Sequence, residues 1–254
     1  MEMVIEKMKK EILKLIKKTE KKEKIKVIWA IESGSRAWNF ASKDSDYDIR
    51  CMHIGKIDDY LSLNPPPKQV SLMEGDFDLE SWDIKKFSEL TLKSNPQIAE
   101  WLRSPITYVD SPVRNKFRKI FDEGCSLNFL RQHYLRMAKQ NYNKYIGKAR
   151  RHSCKKYLYV LRGISCAIYI EKKNKLPPLP YQEIVYFLPD YVEKFFEKCI
   201  KQKKMSEKAK INDDTRVINF IESYITKTFG ETDTSFKKKE DLEKFMIKTI
   251  KELG

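Results

Sequence analysis

The chain is poor in the residues that build disulfide scaffolds and metal fingers. It has five cysteines and three histidines. Cys51, Cys125, Cys154, Cys166 and Cys199 form no Cys-x-x-Cys pair, and His53, His133 and His152 show no metal-ligand spacing. Neither a disulfide framework nor a structural zinc site is expected, and the thiols read as isolated and buried. No apolar run approaches the length of a bilayer-spanning helix. The N-terminal stretch MEMVIEKMKKEILKLIKK is interrupted by charge throughout, unlike a signal peptide or an anchor. The expectation is a soluble, cytoplasmic protein with no membrane partner and no disulfide partner. Acid is the minority charge, with 36 Asp and Glu against 51 Lys and Arg and a net charge of +15. Such an excess favours a polyanionic partner, a nucleic acid or a nucleoside triphosphate. Lysine greatly outnumbers arginine, which a general lysine bias would also produce. Glycine is scarce too, at 8 residues in 254.

What is present suffices for a real core, since 41% of the residues are hydrophobic. Val4, Ile5, Met8, Ile12, Leu15 and Ile16 recur at helical spacing over residues 3–20. The apolar run 25–31 reads as a buried strand ending at Glu32-Ser33-Gly34, and 47–54 as a second strand. Residues 69–73 and 77–82 flank Glu74-Gly75-Asp76 and predict a tight hairpin. A helix follows from Asp83, and Asn95-Pro96 opens another. Beyond about residue 110 the pattern predicts helices only: 112–123, 126–149, 153–173, 181–203 with a break at Pro189, 206–228 and 239–252. This gives an α+β domain over 1–108 and an all-helical domain over 109–254.

The segment GSRAWNFASKDSDYDIR, residues 34–50, carries the chemistry. Asp46 and Asp48 are two residues apart where a strand begins, so both side chains point to one face. Paired carboxylates repel each other, and the usual compensation is a divalent cation such as magnesium, which takes hard oxygen ligands and substrate phosphates. In FDLESW, Asp78, Glu80 and Trp82 share one face, so Asp78 or Glu80 can complete the set if the strands adjoin. Three carboxylates would suit two metal ions around a triphosphate. Gly34 lets the backbone approach a ligand, Ser35 and neighbouring N–H groups can bind phosphate oxygens, and Arg36 can reach the same oxygens.

The Gly-Ser…Asp-x-Asp arrangement resembles the signature of the DNA polymerase β nucleotidyltransferase superfamily. More narrowly, the chain is similar to the RNA repair pathway DNA polymerase beta family, the predicted nucleotidyltransferases. Residues 78–105 resemble that family's second block and residues 155–170 its third. The resemblance implies a small mixed-sheet, polymerase β-like domain followed by a helical one. It implies Gly34 and Ser35 as the phosphate-binding turn and Asp46, Asp48 and Asp78 as catalytic metal ligands, with Glu80 and then Asp83 as alternatives to Asp78. The cofactor would be Mg2+ in a two-metal site, with Mn2+ as its substitute. One departure stands out: Asn39 occupies a position where glycine is expected, and asparagine tolerates a left-handed backbone.

In the helical half, Lys155, Lys156, Tyr159 and Arg162 are candidates for nucleotide binding, a wall of the cleft that the third block implies. Lys148, Arg150, Arg151 and Tyr142 are candidates for RNA contact, because basic residues interleaved with tyrosines suit phosphates and stacked bases. An ordinary solvated cationic helix would show the same pattern. The reading is transfer of a nucleoside monophosphate from an NTP to a hydroxyl acceptor, an RNA end, with release of pyrophosphate. The rivals are transfer to a protein or small molecule, and a non-catalytic nucleic-acid-binding module.

Overall fold

A computed structural model describes residues 2–147, 151–227 and 236–254. Side chains are described from residue 6, and that of Arg151 lies outside the description. The elements run α1 (Glu2–Glu23), β1 (Lys26–Glu32), α2 (Gly34–Ala37), β2 (Tyr47–Ile54), α3 (Ile57–Leu61), β3 (Gln69–Glu74), β4 (Phe77–Asp83), α4 (Ile84–Leu92), α5 (Pro96–Arg103) and β5 (Thr107–Val109). They continue with α6 (Pro112–Gly124), α7 (Leu127–Tyr145), β6 (Arg151–Ser153), α8 (Cys154–Lys173), α9 (Gln182–Val185), α10 (Asp190–Met205), β7 (Lys210–Asn212), α11 (Thr215–Ile225) and α12 (Lys239–Leu253).

The chain folds as two compact units. The first comprises Met1–Ala37, Asp46–Cys125 and Phe236–Gly254; the second comprises Trp38–Ser45 and Ser126–Ser235. A single cut at 108/109 does not describe this division. Helices α6 and α12 pack with the sheet-bearing unit, where Phe117 meets Phe87 at 5.1 Å and Phe245 at 5.3 Å between ring centres. The short loop 38–45 belongs to the helical unit instead, because Phe40 is fully buried in that unit's core.

The first unit is a five-stranded mixed sheet in the order β3-β4-β2-β1-β5. Strands β2 and β4 are parallel, while β1 pairs antiparallel with both β2 and β5. Strands β3 and β4 form the expected hairpin, turning at Gly75 with φ +60°. Periodicity explains the layers. Ile12, Leu15 and Ile16 of α1 cover Val27, Ala30, Ile49, Cys51 and Leu79. A chain of rings packs elsewhere in the unit, with Trp29 edge-on to Phe87 at 5.3 Å and Trp82 stacked on Trp101 at 4.0 Å. Caps set the helix starts: Asp83 accepts from the Lys85 amide, and Asn95 and Ser111 cap helices that begin with proline.

The second unit is built around α8, most of whose residues are buried. At Gly163 the backbone of α7 comes so close that an added Cβ would lie 3.1 Å from the Tyr134 carbonyl oxygen. This unit is mostly rather than wholly helical. Strands β6 and β7 pair antiparallel, with His152 opposite Ile211, and β7 falls inside the stretch that the sequence assigned to the 206–228 helix. Asp214 caps α11 by accepting from the Arg216 amide, so the helix begins only at Thr215. Strand β5 and helix α3 are likewise absent from the sequence expectation. Both are too short to show a period. All five cysteines are free thiols. Among the described residues, no helix is long and apolar enough to cross a membrane.

Removing the Phe40 ring tests whether the loop is part of the helical core. Phe40→Ala should destabilise the protein by about 3–5 kcal/mol in urea unfolding followed by circular dichroism. A cost below about 1 kcal/mol would mean that the ring contributes no core packing.

Candidate active site

The site lies where β1 ends and β2 begins. Strand β1 finishes at Glu32, and Gly34 turns the chain with φ +59°, a conformation open to glycine at little cost. A second constraint is steric. A Cβ on Gly34 would overlap Asp48 Oδ2 and lie 2.9 Å from its Cγ, so the carboxylate packs directly on the glycine Cα. The Ser33 amide donates to the Asp48 carbonyl at 2.8 Å, closing the turn onto β2.

Asp48 and Asp78 are level in the parallel β2–β4 register, as are Arg50 and Glu80. Arg50 Nη2 donates to Asp48 Oδ1 and to Asp78 Oδ2, both at 2.8 Å. Its Nη1 donates to the Asp78 carbonyl at 2.7 Å, and its Nε stands 3.8 Å from Glu80 Oε2. One guanidinium thus holds three acids on one face. Asp46 stands ahead of β2 and is exposed; its carbonyl accepts from Arg36 Nε at 3.3 Å. Arg36 also lies over the Tyr47 ring at 3.8 Å. Ser35 is buried inside the short α2 turn.

Among the described residues, no group of three or more His, Cys, Asp or Glu side chains is gathered for a metal ion. Asp78 meets Asp48 through Arg50, where the sequence reading expected carboxylates converging around metal ions. The donor chemistry nevertheless fits a hard divalent ion, since Asp46 and Asp48 offer only oxygens. The alternatives separate clearly. Glu80 shares the face of Asp78 but accepts from Gln69 and from Trp82 Nε1. Asp83 pairs with His53, five residues further along the strands, or about 16 Å at ordinary strand rise. It caps α4 and accepts from the Tyr60 hydroxyl, which is a structural role.

Glu32 was missed by sequence reasoning. It is fully buried, accepts from the Asp48 amide at 2.9 Å and from the Tyr108 hydroxyl, and lies 3.9 Å from Arg36 Nε. Burial pushes its carboxyl up to about 7, against the pull of the Tyr108 and Asp48 hydrogen bonds. A lone Glu at a strand end gives no sequence signal of this.

The helical-unit candidates are described within their own unit. Lys155 pairs with Glu207 at 2.8 Å, whereas Lys156 lies over the Tyr145 ring at 3.5 Å, so the two adjacent lysines serve different faces. Tyr159 meets Trp38 edge-on at 5.5 Å, and Arg162, nearly buried, lies over the same indole at 4.1 Å. Asn39 takes φ 67°, so the left-handed turn survives the loss of glycine. Tyr142 corrects its assignment as a base-stacking residue. It is buried in the helical core and its hydroxyl donates to Glu222 at 2.6 Å. Lys148 and Arg150 lie outside the described residues, as does the side chain of Arg151.

A sequence profile for the RNA repair pathway DNA polymerase beta family matches residues 8–253. The chain is also 30% identical to the Bacillus subtilis (strain 168) protein YcgL, described as uncharacterized, over 97% of this chain and 98% of that one.

Two outcomes follow from this geometry. Gly34→Ala should displace the Asp48 carboxylate and add a backbone penalty of about 1 kcal/mol. Urea unfolding should show a loss of at least that size; unchanged stability would show that the turn does not depend on glycine. Glu32 sets a pH dependence. Its ordinary pKa is 4.5 and its folded value about 7, so in that window the folded protein keeps a proton that the unfolded chain has lost. Its contribution therefore lowers stability as pH rises from 4.5 to about 7. Glu32→Gln should flatten that slope in urea unfolding at several pH values and be more stable than wild type above it, by a few kcal/mol at most. An unaltered slope would refute the assignment.

Proposed function

The chain belongs to the RNA repair pathway DNA polymerase beta family, and from that premise we propose that it is a metal-dependent nucleotidyltransferase. It moves a nucleoside monophosphate from an NTP to a hydroxyl acceptor, an RNA end, and releases pyrophosphate. The observation that carries this reading is the Asp48 carboxylate seated on the Gly34 turn, level with Asp78 on the neighbouring strand. The resemblance matches these residues to the family's phosphate turn and metal ligands.

Asp46 and Asp48 would hold magnesium, or manganese in its place, which supplies charge stabilisation for the reacting phosphate. Asp78 is the third carboxylate of the set, kept level with Asp48 by Arg50. Gly34 and Ser35 offer backbone N–H groups to phosphate oxygens, and Arg36 adds a guanidinium for the same anion. Within the helical unit, Tyr159 and Arg162 brace Trp38, and Lys155 is paired with Glu207. The net charge of +15 favours RNA as the acceptor, with Lys148, Arg150 and Arg151 as its phosphate contacts.

The test is incubation of the protein with magnesium, each labelled NTP in turn, and RNA, DNA or protein acceptors. Label should pass to RNA. Asp48→Asn should lower transfer about 10³-fold or more, as expected when stabilisation of developing charge is lost. Its stability should stay within about 1 kcal/mol of wild type, because the ion pair with Arg50 is partly solvated. Activity within tenfold of wild type would remove Asp48 from the mechanism. Label on protein instead would select the protein-acceptor reading.

A further inference from the structure

We propose that Arg50 takes the place of a second metal ion, so that the site loads one divalent ion, on Asp46 and Asp48. The inference rests on the nucleotidyl-transfer reading above and narrows it. The sequence pointed to three carboxylates converging around two ions. In the fold, the Asp48 and Asp78 carboxylates are bridged instead by a guanidinium from the same strand as Asp48.

The donors of that guanidinium can be counted. It has five N–H groups, four of them on the two Nη atoms. All four have acceptors. Nη2 donates to Asp48 Oδ1 and Asp78 Oδ2, both at 2.8 Å. Nη1 donates to the Ile49 carbonyl at 3.1 Å and to the Asp78 carbonyl at 2.7 Å. The fifth, on Nε, belongs to the atom that stands 3.8 Å from Glu80 Oε2. Two of these acceptors are main-chain carbonyls of the paired strands β2 and β4, so they stay in place whatever the carboxylates bind. The Arg50 side chain is 13% exposed, and its fork is anchored on backbone as well as on acid.

Charge decides what such a bridge does. Two level carboxylates on adjacent strands repel each other, and a cation between them removes the repulsion. A divalent ion can supply that charge, and so can a fixed guanidinium. An ion bridging the same two oxygens would have to displace Nη2, which is hydrogen-bonded to both. It would also add its charge beside the guanidinium already there. Asp46 is placed differently. It is exposed ahead of β2, its tie to Arg36 runs through its main-chain carbonyl, and its carboxylate enters no ion pair among the described residues. Asp48 carries a second oxygen, Oδ2, packed on Gly34 beside the phosphate turn. An ion held by Asp46 and Asp48 therefore leaves the Arg50 bridge intact, and Asp78 acts on Asp48 through Arg50.

The test counts Mn2+ ions by electron paramagnetic resonance, on the full chain with one non-hydrolysable NTP analogue per chain. Wild type should bind one ion. Arg50→Met, which keeps an unbranched stem without the charge, should bind two, because the bare Asp48–Asp78 pair then recruits an ion of its own. A purely structural role for Arg50 would lower stability or affinity in this variant and would not raise the count. Asp78→Asn should still bind one ion, with affinity within about threefold of wild type, since the amide oxygen goes on accepting from Nη2 and the ion loses no ligand. Two ions on wild type, or a single ion on folded Arg50→Met, would overturn the proposal. So would a loss of affinity of about tenfold or more in Asp78→Asn, the size expected when a group supporting the metal is removed. If Arg50→Met does not fold, wild type and Asp78→Asn decide by the same measures. A wild-type protein that neither transfers labelled nucleotide nor takes up Mn2+ with the analogue overturns the nucleotidyl-transfer reading and this inference with it. A wild type that transfers nucleotide and holds two ions, or none, overturns this inference alone.

Discussion

A carboxylate packed on a bare Cα is the constraint around which the site is organised. Asp48 Oδ2 occupies the space a Cβ on Gly34 would need. That contact requires glycine, and the turn that brings it there has φ +59°. Two further ties surround it: the Ser33 amide reaches the Asp48 carbonyl, and the Asp48 amide reaches Glu32. Backbone, side chain and turn thus determine one residue together. Such redundancy suits a group whose placement matters more than its contribution to stability.

Arg50 solves the electrostatic problem that this placement creates. Adjacent parallel strands bring Asp48 and Asp78 level, and Arg50, itself mostly buried, lies between the two partly exposed carboxylates. A planar fork with several donors can hold two carboxylates and a carbonyl together, which a lysine could not do with the same geometry. The parallel register is what makes one guanidinium sufficient. Its own strand supplies Asp48 on the same face, and the neighbouring strand supplies Asp78 and Glu80. The two acids of the Asp-x-Asp pair are therefore unequal. Asp48 is pinned by strand, turn and ion pair, whereas Asp46 precedes the strand and is tied through its carbonyl to Arg36.

How much of this was legible follows from which interactions are local. The β2 and β4 strands, the Gly75 hairpin and the capped helices α4, α5 and α6 follow from period and punctuation within a few residues. Gly34 and Asn39 could be read because few residues tolerate left-handed backbone. The same logic could not foresee Arg50 as the bridge, because β2–β4 pairing joins residues separated by a crossover. Nor could it find Glu32, whose burial depends on Tyr108, or Lys203, whose partners lie in the loop 38–45. Tyr142 looked like a stacking residue because an aromatic among lysines reads alike on either face of a helix; only packing places it in the core. The strands β5, β6 and β7 are three residues each, too short for a period to show. Loop 38–45 did carry a signal, since Trp38 and Phe40 are large apolar residues in a polar segment.

The local charge balance shows how a strongly basic protein carries an acidic site. Asp46, Asp48, Asp78 and Glu80 belong to one small region, where Arg50 faces Asp48, Asp78 and Glu80, Lys86 also faces Glu80, and Arg36 reaches the Asp46 carbonyl. Protonation of Glu32 relieves the region of one further charge, and burial favours that outcome up to about pH 7. In the helical unit, Lys155 and Lys203 are engaged by Glu207. There the lysine contacts pull that carboxyl down to about 2 in spite of burial. The excess of +15 is a property of the whole surface, and at long range it attracts a polyanion. At the turn itself, an arriving triphosphate would meet an excess of carboxylates. In the proposed reading, Asp46 and Asp48 would hold a divalent ion there, whose charge would offset the repulsion between carboxylates and phosphates.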